Sequence, residues 1–361
     1  MDVHYGLIGT SELLKEREPE GSYSFSGITQ RNFSSALKER GEEEALGELG
    51  LRIEHNLNLT KNIIEFIPKI NIRHYRISSS IFSLCADFKD NVQASVTSLP
   101  NSNVILDLIR AIGFSAKQNN VTLSVYPDST NNLASSDESL VSQTIAELNF
   151  HSWFFESAGF SASAANPIII KPFEQPASDT HASAVSFVQS FYDNFKKLNS
   201  DTQKRLVLQN EDSGFWNPIN LFKYFHVYLN EKYEKGMTLS YSNVADQFNP
   251  GTIDSQTIEK EVNIGAFHET WAGVVPIFLW SQKQAKTSAP EEFLSEAIPY
   301  FNYNIKWECD IKSRDKGIVK FTMPEAEDKV TEEVIMTITK NKYSKSRDAS
   351  RAFNALYDKV Q

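Results

Sequence analysis

Eight short runs of β-branched and aromatic residues recur along the chain, each followed by a longer segment with helical spacing. The runs are VHYGLIG (3–9), RHYRIS (73–78), VTLSVYP (121–127) and PIIIKPF (167–173), then RLVLQNE (205–211), GMTLSYS (236–242), VPIFLWS (275–281) and YNIKWECD (303–310). Between them, LRIEHNLNLTKNIIEFI places Ile53, Leu57, Ile63, Ile64 and Ile67 on or near one helical face. DESLVSQTIAELNFHSWFFES opens with acidic residues, which suit the positive end of a helix dipole. ASAVSFVQSFYDNFKKL carries Ala184, Phe187, Val188, Phe191 and Phe195 at three- and four-residue spacing. Strands alternating with helices demand a parallel sheet, and eight of them predict an α/β fold closed as a TIM (β/α)8 barrel; an open doubly wound sheet is the alternative.

The character changes near residue 323. The barrel is expected over 1–323 and a charged helical C-terminal extension over 324–361, with an apolar stripe at Val330, Val334, Ile335 and Ile338, then Phe353, Leu356 and Val360. SVTSLPNSN and SASAANP read as surface connections.

Composition narrows the classes of function. Apolar content of 40% and aromatic content of 12% are ample for a large core. Cys85 and Cys309 are too few for a disulfide framework and too far apart for a zinc pair, which suggests a reducing, cytoplasmic setting. MDVHYGLIG has no basic region before an apolar run, so no signal peptide is expected, and no stretch approaches the length of a membrane span. The formal charge of −10 opposes broad, sequence-independent DNA binding.

In a (β/α)8 barrel chemistry belongs at the C-terminal ends of the strands. Those ends here run over 76–87, 126–130, 171–174, 209–212, 242–246, 278–282 and 308–314. YRISSSIF, LSVYPDS, LVLQNEDSGFWNP, TWAGVVPIFLWSQ and CDIKSRDKGIV stand there in order. In these stretches the chain resembles the UV damage endonuclease family of DNA-repair enzymes, and YRISSSIF is the most specific match. The resemblance implies a TIM barrel whose mouth holds a cluster of metal ions, which activate water to cut DNA on the 5′ side of a lesion. It covers nearly the whole barrel and leaves out the tail.

Position by position, the resemblance departs at the implied metal ligands. Asp87 and Tyr126 stand where the family has histidines, Lys171 where it has the histidine ending the fourth strand, and Gln209 where it has a glutamate. Ser242 and Ala245 replace an aspartate and a histidine; Pro276 replaces a metal-bridging modified lysine, and Phe278 a further histidine. Asp310 keeps the final carboxylate, a short shift nominating Glu308 instead. An ammonium about 4 Å from a dication is repelled by roughly 8 kcal/mol at an effective dielectric of about 20, so Lys171 and a metal cluster exclude one another. The Gln-Tyr pair that the family inserts into damaged DNA becomes Ser129 and Thr130. Of seven histidines, only His181 falls in a loop on the catalytic face.

The site residues follow. Lys171, Glu211 and Asp310 are the catalytic candidates; Tyr5, Arg76, Tyr126, Gln209 and Asn210 are the substrate-binding candidates; Asp87 and Asp310 are the metal candidates. Asp128, Glu174 and Asp246 complete a ring of oxygen donors suited to one Mg²⁺ or Mn²⁺. Lys171 is expected to replace the lost cations by pairing with Asp87, Glu211 or Asp310. The resemblance implies nicking of UV-damaged DNA, and the substitutions at the ligand positions imply a divergent copy with metal-dependent cleavage impaired or lost. The alternative is a non-catalytic TIM barrel that binds a protein, a nucleic acid or a small molecule, with the tail offering a surface for a protein partner. No membrane association is expected.

Overall fold

The computed structural model describes residues 4–17, 23–85, 95–127, 131–251, 264–295, 297–298 and 302–322. All eight anticipated runs form strands: β1 His4–Ile8, β2 His74–Ile77, β3 Thr122–Val125, β4 Ile168–Ile170, β5 Leu206–Gln209, β6 Thr238–Ser240, β7 Ile277–Ser281 and β8 Lys306–Asp310. Every pairing is parallel, in the order β6-β5-β4-β3-β2-β1-β8-β7. The two ends of that order meet just past β6, where Ser242 bridges Leu279 and the Leu279 amide donates to the Tyr241 carbonyl at 2.8 Å. The sheet thus closes on itself as a (β/α)8 barrel. The expected helical tail, 324–361, lies outside the described residues, as do Asp87, Asp128, Ser129 and Thr130.

Strand register decides which side chains look inward. Gly6 pairs with both His74 and Glu308, Arg76 with Ser124, Gln209 with Ser240, and Ser281 with Asp310. This polar set shares the interior face. The alternate residues, among them Leu7, Tyr75, Leu123, Ile170, Leu208, Leu239, Phe278 and Trp307, are buried on the face toward the helices. A slip of one residue would exchange the two sets. Each large apolar side chain pulled out of the outer core would forfeit about 1.5–3 kcal/mol, so the pattern holds the register firmly.

The helices form where their caps and faces predict. Asp137 accepts hydrogen bonds from the amides of Ser139 (2.9 Å) and Leu140 (3.4 Å) and starts helix Glu138–Ser157. Thr180 accepts from the Ser183 amide and starts helix His181–Phe195, so His181 opens a helix rather than lying in a loop. SVTSLPNSN, expected as a surface connection, carries a single 3-10 turn at Val96–Ser98 and runs into helix Ser102–Gln118. That helix packs along Glu42–Phe66, tied by Asn101 donating to Glu54 and Ser115 donating to Glu65, each at 2.8 Å. No helix among the described residues is long and apolar enough to cross a membrane.

Candidate active site at the barrel mouth

A buried carboxylate, that of Glu308, sits in the barrel interior. Its Oε1 accepts from the Ser124 hydroxyl and lies 2.9 Å from Nε2 of His74; its Oε2 accepts from Nη1 of Arg76 at 3.0 Å. Burial alone would raise the carboxyl pKa, but the charge of Arg76 and the contacts with His74 and Ser124 outweigh it and bring it down to about 2. Burial lowers the pKa of His74 in turn, against the pull of Glu308. With the imidazole neutral, its proton belongs on Nε2 toward the carboxylate, and Nδ1 accepts from Thr122 Oγ1 at 2.9 Å. Gly6 makes this possible, since a Cβ there would stand 2.7 Å from Cδ2 of His74.

Arg76 leads from this centre toward the mouth. Its guanidinium carbon lies 5.0 Å from the centroid of the Tyr126 ring, a cation–π contact added to the ion pair. Burial raises the phenol pKa of Tyr126, which keeps it protonated. Next to Arg76, the serine run turns the chain: the Ser78 hydroxyl accepts from the Ser80 amide and caps a 3-10 turn, Ser79–Phe82, that buries Ile81 and Phe82. The serines shape the rim and leave the interior to Arg76.

The second buried carboxylate is Glu211. Oε1 accepts from the Phe173 amide at 2.7 Å and Oε2 from Nε2 of Gln175 at 3.0 Å. Burial raises its pKa; the Phe173 amide and the charge of Lys171 work against that rise. Lys171, half-buried at the end of β4, forms no ion pair with Glu211, Asp310 or any other described carboxylate. Its expected pairing with Glu211 is therefore a longer-range attraction only, and its expected pairing with Asp310 is not seen.

The remaining candidates divide between the mouth and the wall. Asp310 is half-buried, with the Ser281 hydroxyl 3.3 Å from Oδ2. Gln209 is buried and donates to Ser240 Oγ at 3.3 Å, whose own hydroxyl donates to the Ile277 carbonyl. Asn210 donates to the Ser242 carbonyl and accepts from its amide, so both ends of its side chain are engaged in tying β5 to β6 rather than facing a ligand. Tyr5 lies early in β1 in register with Trp307, on the face turned from the interior. Phe278 shares that outer face and packs against Trp271 and Trp307; the interior neighbours on β7 are Ile277, Leu279 and Ser281. Asp246 accepts from the Tyr241 hydroxyl at 2.6 Å, and Glu174 is exposed. His181 meets Tyr224 at 3.2 Å.

Among the described residues no three His, Cys, Asp or Glu side chains converge as a metal-binding group. The donors described at the mouth are scattered carboxylates, a lysine, a phenol and hydroxyls, a set that does not fit a multi-ion centre, which needs several carboxylates and imidazoles together. The residues that sequence reasoning underweighted are His74, Ser124 and Glu308. Their signal was the alternation of His74 with Arg76 and of Glu308 with Asp310, which puts all four on one face.

Comparison with known proteins agrees with the barrel fold. A family model described as UV-endonuclease UvdE matches residues 3–223. A UV-damage endonuclease candidate of Acanthamoeba polyphaga mimivirus is 27% identical over 167 residues, 45% of this chain and 46% of that protein. The UV DNA damage endonuclease of Bacillus cereus (strain B4264) is 21% identical over 216 residues, 60% of this chain and 61% of that protein. The chain thus matches about half to three fifths of the length of these curated relatives. Among solved structures, the crystal structure of SacUVDE superposes with a TM-score of 0.65 at 19% identity, covering 91% of this chain and 99% of that one.

Proposed function

Because the chain belongs to the UV-endonuclease UvdE family, we propose that it is a UV-damage endonuclease-like protein that engages damaged DNA at the barrel mouth without metal-dependent strand cleavage. The observation carrying this reading is the charge balance of the interior. Arg76 neutralises Glu308 at 3.0 Å, and Lys171 adds a second cation near Glu211. Protein cations thus stand beside carboxylates that a dication would need. The scarcity of imidazoles at the strand ends supports the same reading. Lys171 and Asp310 then meet substrate by charge and hydrogen bonding, Glu211 holds the loop beside them through the Phe173 amide, and Arg76 and Tyr126 line the approach.

The test is a nicking assay on UV-irradiated plasmid with Mn²⁺ or Mg²⁺, run beside a binding assay on UV-irradiated duplex. Binding without nicking above background is the expected result. Nicking abolished by Asp310→Asn would overturn the loss of cleavage.

The formal charge of −10 favours a second reading, a barrel that serves as a binding protein for a protein or small-molecule partner, with the 324–361 segment as the contact. Absence of DNA binding at low salt would select it.

A further inference from the structure

The loop after β4, Lys171-Pro172-Phe173-Glu174-Gln175-Pro176, displays one aromatic ring in a costly way. Phe173 has φ +68°, in the left-handed region that bulky side chains rarely enter and that glycine enters freely. The Glu174 amide donates to the Pro172 carbonyl at 2.9 Å, so Phe173 sits at the centre of a γ-turn of the rarer, positive-φ kind. Three clamps hold it there. The buried Glu211 carboxylate accepts from the Phe173 amide, Gln175 bridges Glu211 and the Phe215 amide, and the Trp216 indole donates to the Glu174 carbonyl at 2.8 Å. Yet Phe173 is 46% exposed at the barrel mouth.

Ring burial does not explain this arrangement, and a strained residue fixed by surrounding structure is a mark of function. We propose that Phe173 is a stacking platform for a nucleobase that is unstacked from its neighbours, as at a lesion or in a single strand. The inference rests on the DNA reading above and adds a residue and a mode of contact to it. A rigid ring on a clamped loop loses little freedom on binding, and every base offers it a π-face. Lys171, two residues earlier and without an ion pair among the described carboxylates, supplies positive charge beside the platform for the strand's phosphates.

The full chain is titrated with a single-stranded oligonucleotide and with a UV-irradiated duplex, each containing 2-aminopurine, whose fluorescence falls when it stacks. Wild-type protein is expected to quench the probe. Phe173→Ala is expected to abolish quenching and weaken binding by about 5- to 150-fold, the range for one stacked base. Phe173→Trp retains both signals. Phe173→Leu keeps bulk, drops the π-face and behaves as the alanine variant does, which separates stacking from folding. If the alanine and leucine variants bind and quench as wild type does, the platform is overturned while the DNA reading stands. If wild-type protein binds neither probe, the DNA reading falls and the platform with it.

Discussion

The guanidinium of Arg76 and the carboxylate of Glu308 meet inside the barrel, Nη1 to Oε2 at 3.0 Å, with Glu308 almost fully enclosed. Removing one partner of such a pair leaves a buried charge without its counterion. Arg76→Met is therefore expected to lower stability by about 3–5 kcal/mol, read from urea unfolding at pH 7. The pair also sets a pH window. The Glu308 carboxyl, ordinarily at 4.5, is held at about 2 in the folded chain. Its contribution is fully present above pH 4.5 and is lost as pH falls from there toward 2. In Arg76→Met that acid-side decline is expected to flatten. A variant with wild-type stability would mean that water already screens the pair.

Lys306 opens β8 at the opposite end of the barrel, and burial lowers its ammonium from 10.5 to about 8. At pH 7 the group is charged both folded and unfolded, so the folded chain carries the cost of enclosing it. Above pH 8 the folded form sheds the proton first, and the cost fades until it is gone above 10.5. Lys306→Met is expected to stabilise the protein at pH 7 by about 1–3 kcal/mol, an upper range given that each tenfold loss of proton affinity is worth about 1.4 kcal/mol. Unfolding curves for the two proteins should converge above pH 10.5. A methionine variant less stable than wild type at pH 7 would show that the stem's contacts outweigh the buried charge.

The strands were legible because alternation and β-branched runs are local signals, and all eight fell where the sequence put them. Closure was legible from their number. The face of each strand was harder to read: PIFLWS alone does not say whether Phe278 or Leu279 looks inward, and only pairing with Trp307 and Glu308 settles it. The role of Asn210 was hidden for a related reason. A buried amide that ties two strands through the Ser242 backbone looks, in sequence, like any polar residue at a strand end. The Glu211 clamp joins loops 38 residues apart, a separation no short pattern spans. Recognition of the family supplied the mouth as the place to look, and pair geometry supplied which groups there are already engaged.

Gly6 is required by space alone: a Cβ built on it would stand 2.7 Å from Cδ2 of His74 and 3.2 Å from the Trp307 carbonyl oxygen. Gly6→Ala is expected to push the imidazole off Glu308 and cost about 1–3 kcal/mol, the usual penalty for overpacking an interior. The measurement is thermal unfolding together with the histidine ring resonances by NMR. Unchanged resonances for His74 would show that the neighbouring strand yields instead of the ring.

Glu211 offers the last test, and it separates geometry from charge. Both of its oxygens accept from N–H donors, Phe173 on one side and Gln175 on the other. In Glu211→Gln one of those acceptors becomes an N–H group, so one donor loses its partner and the two face each other. An unmatched buried polar group costs about 1–3 kcal/mol, but the amide also removes the burial cost that raises the Glu211 pKa. The two effects oppose, and a net loss of about 1 kcal/mol is expected, at the low end of the range for a buried group left unpaired. The sharper readout is local: hydrogen exchange at the Phe173 amide should speed up far more than in the strands, since the carboxylate is what holds that amide in its positive-φ turn. If exchange at Phe173 is unchanged while global stability falls, the turn is held by Trp216 and the flanking prolines, and Glu211 serves the barrel wall instead.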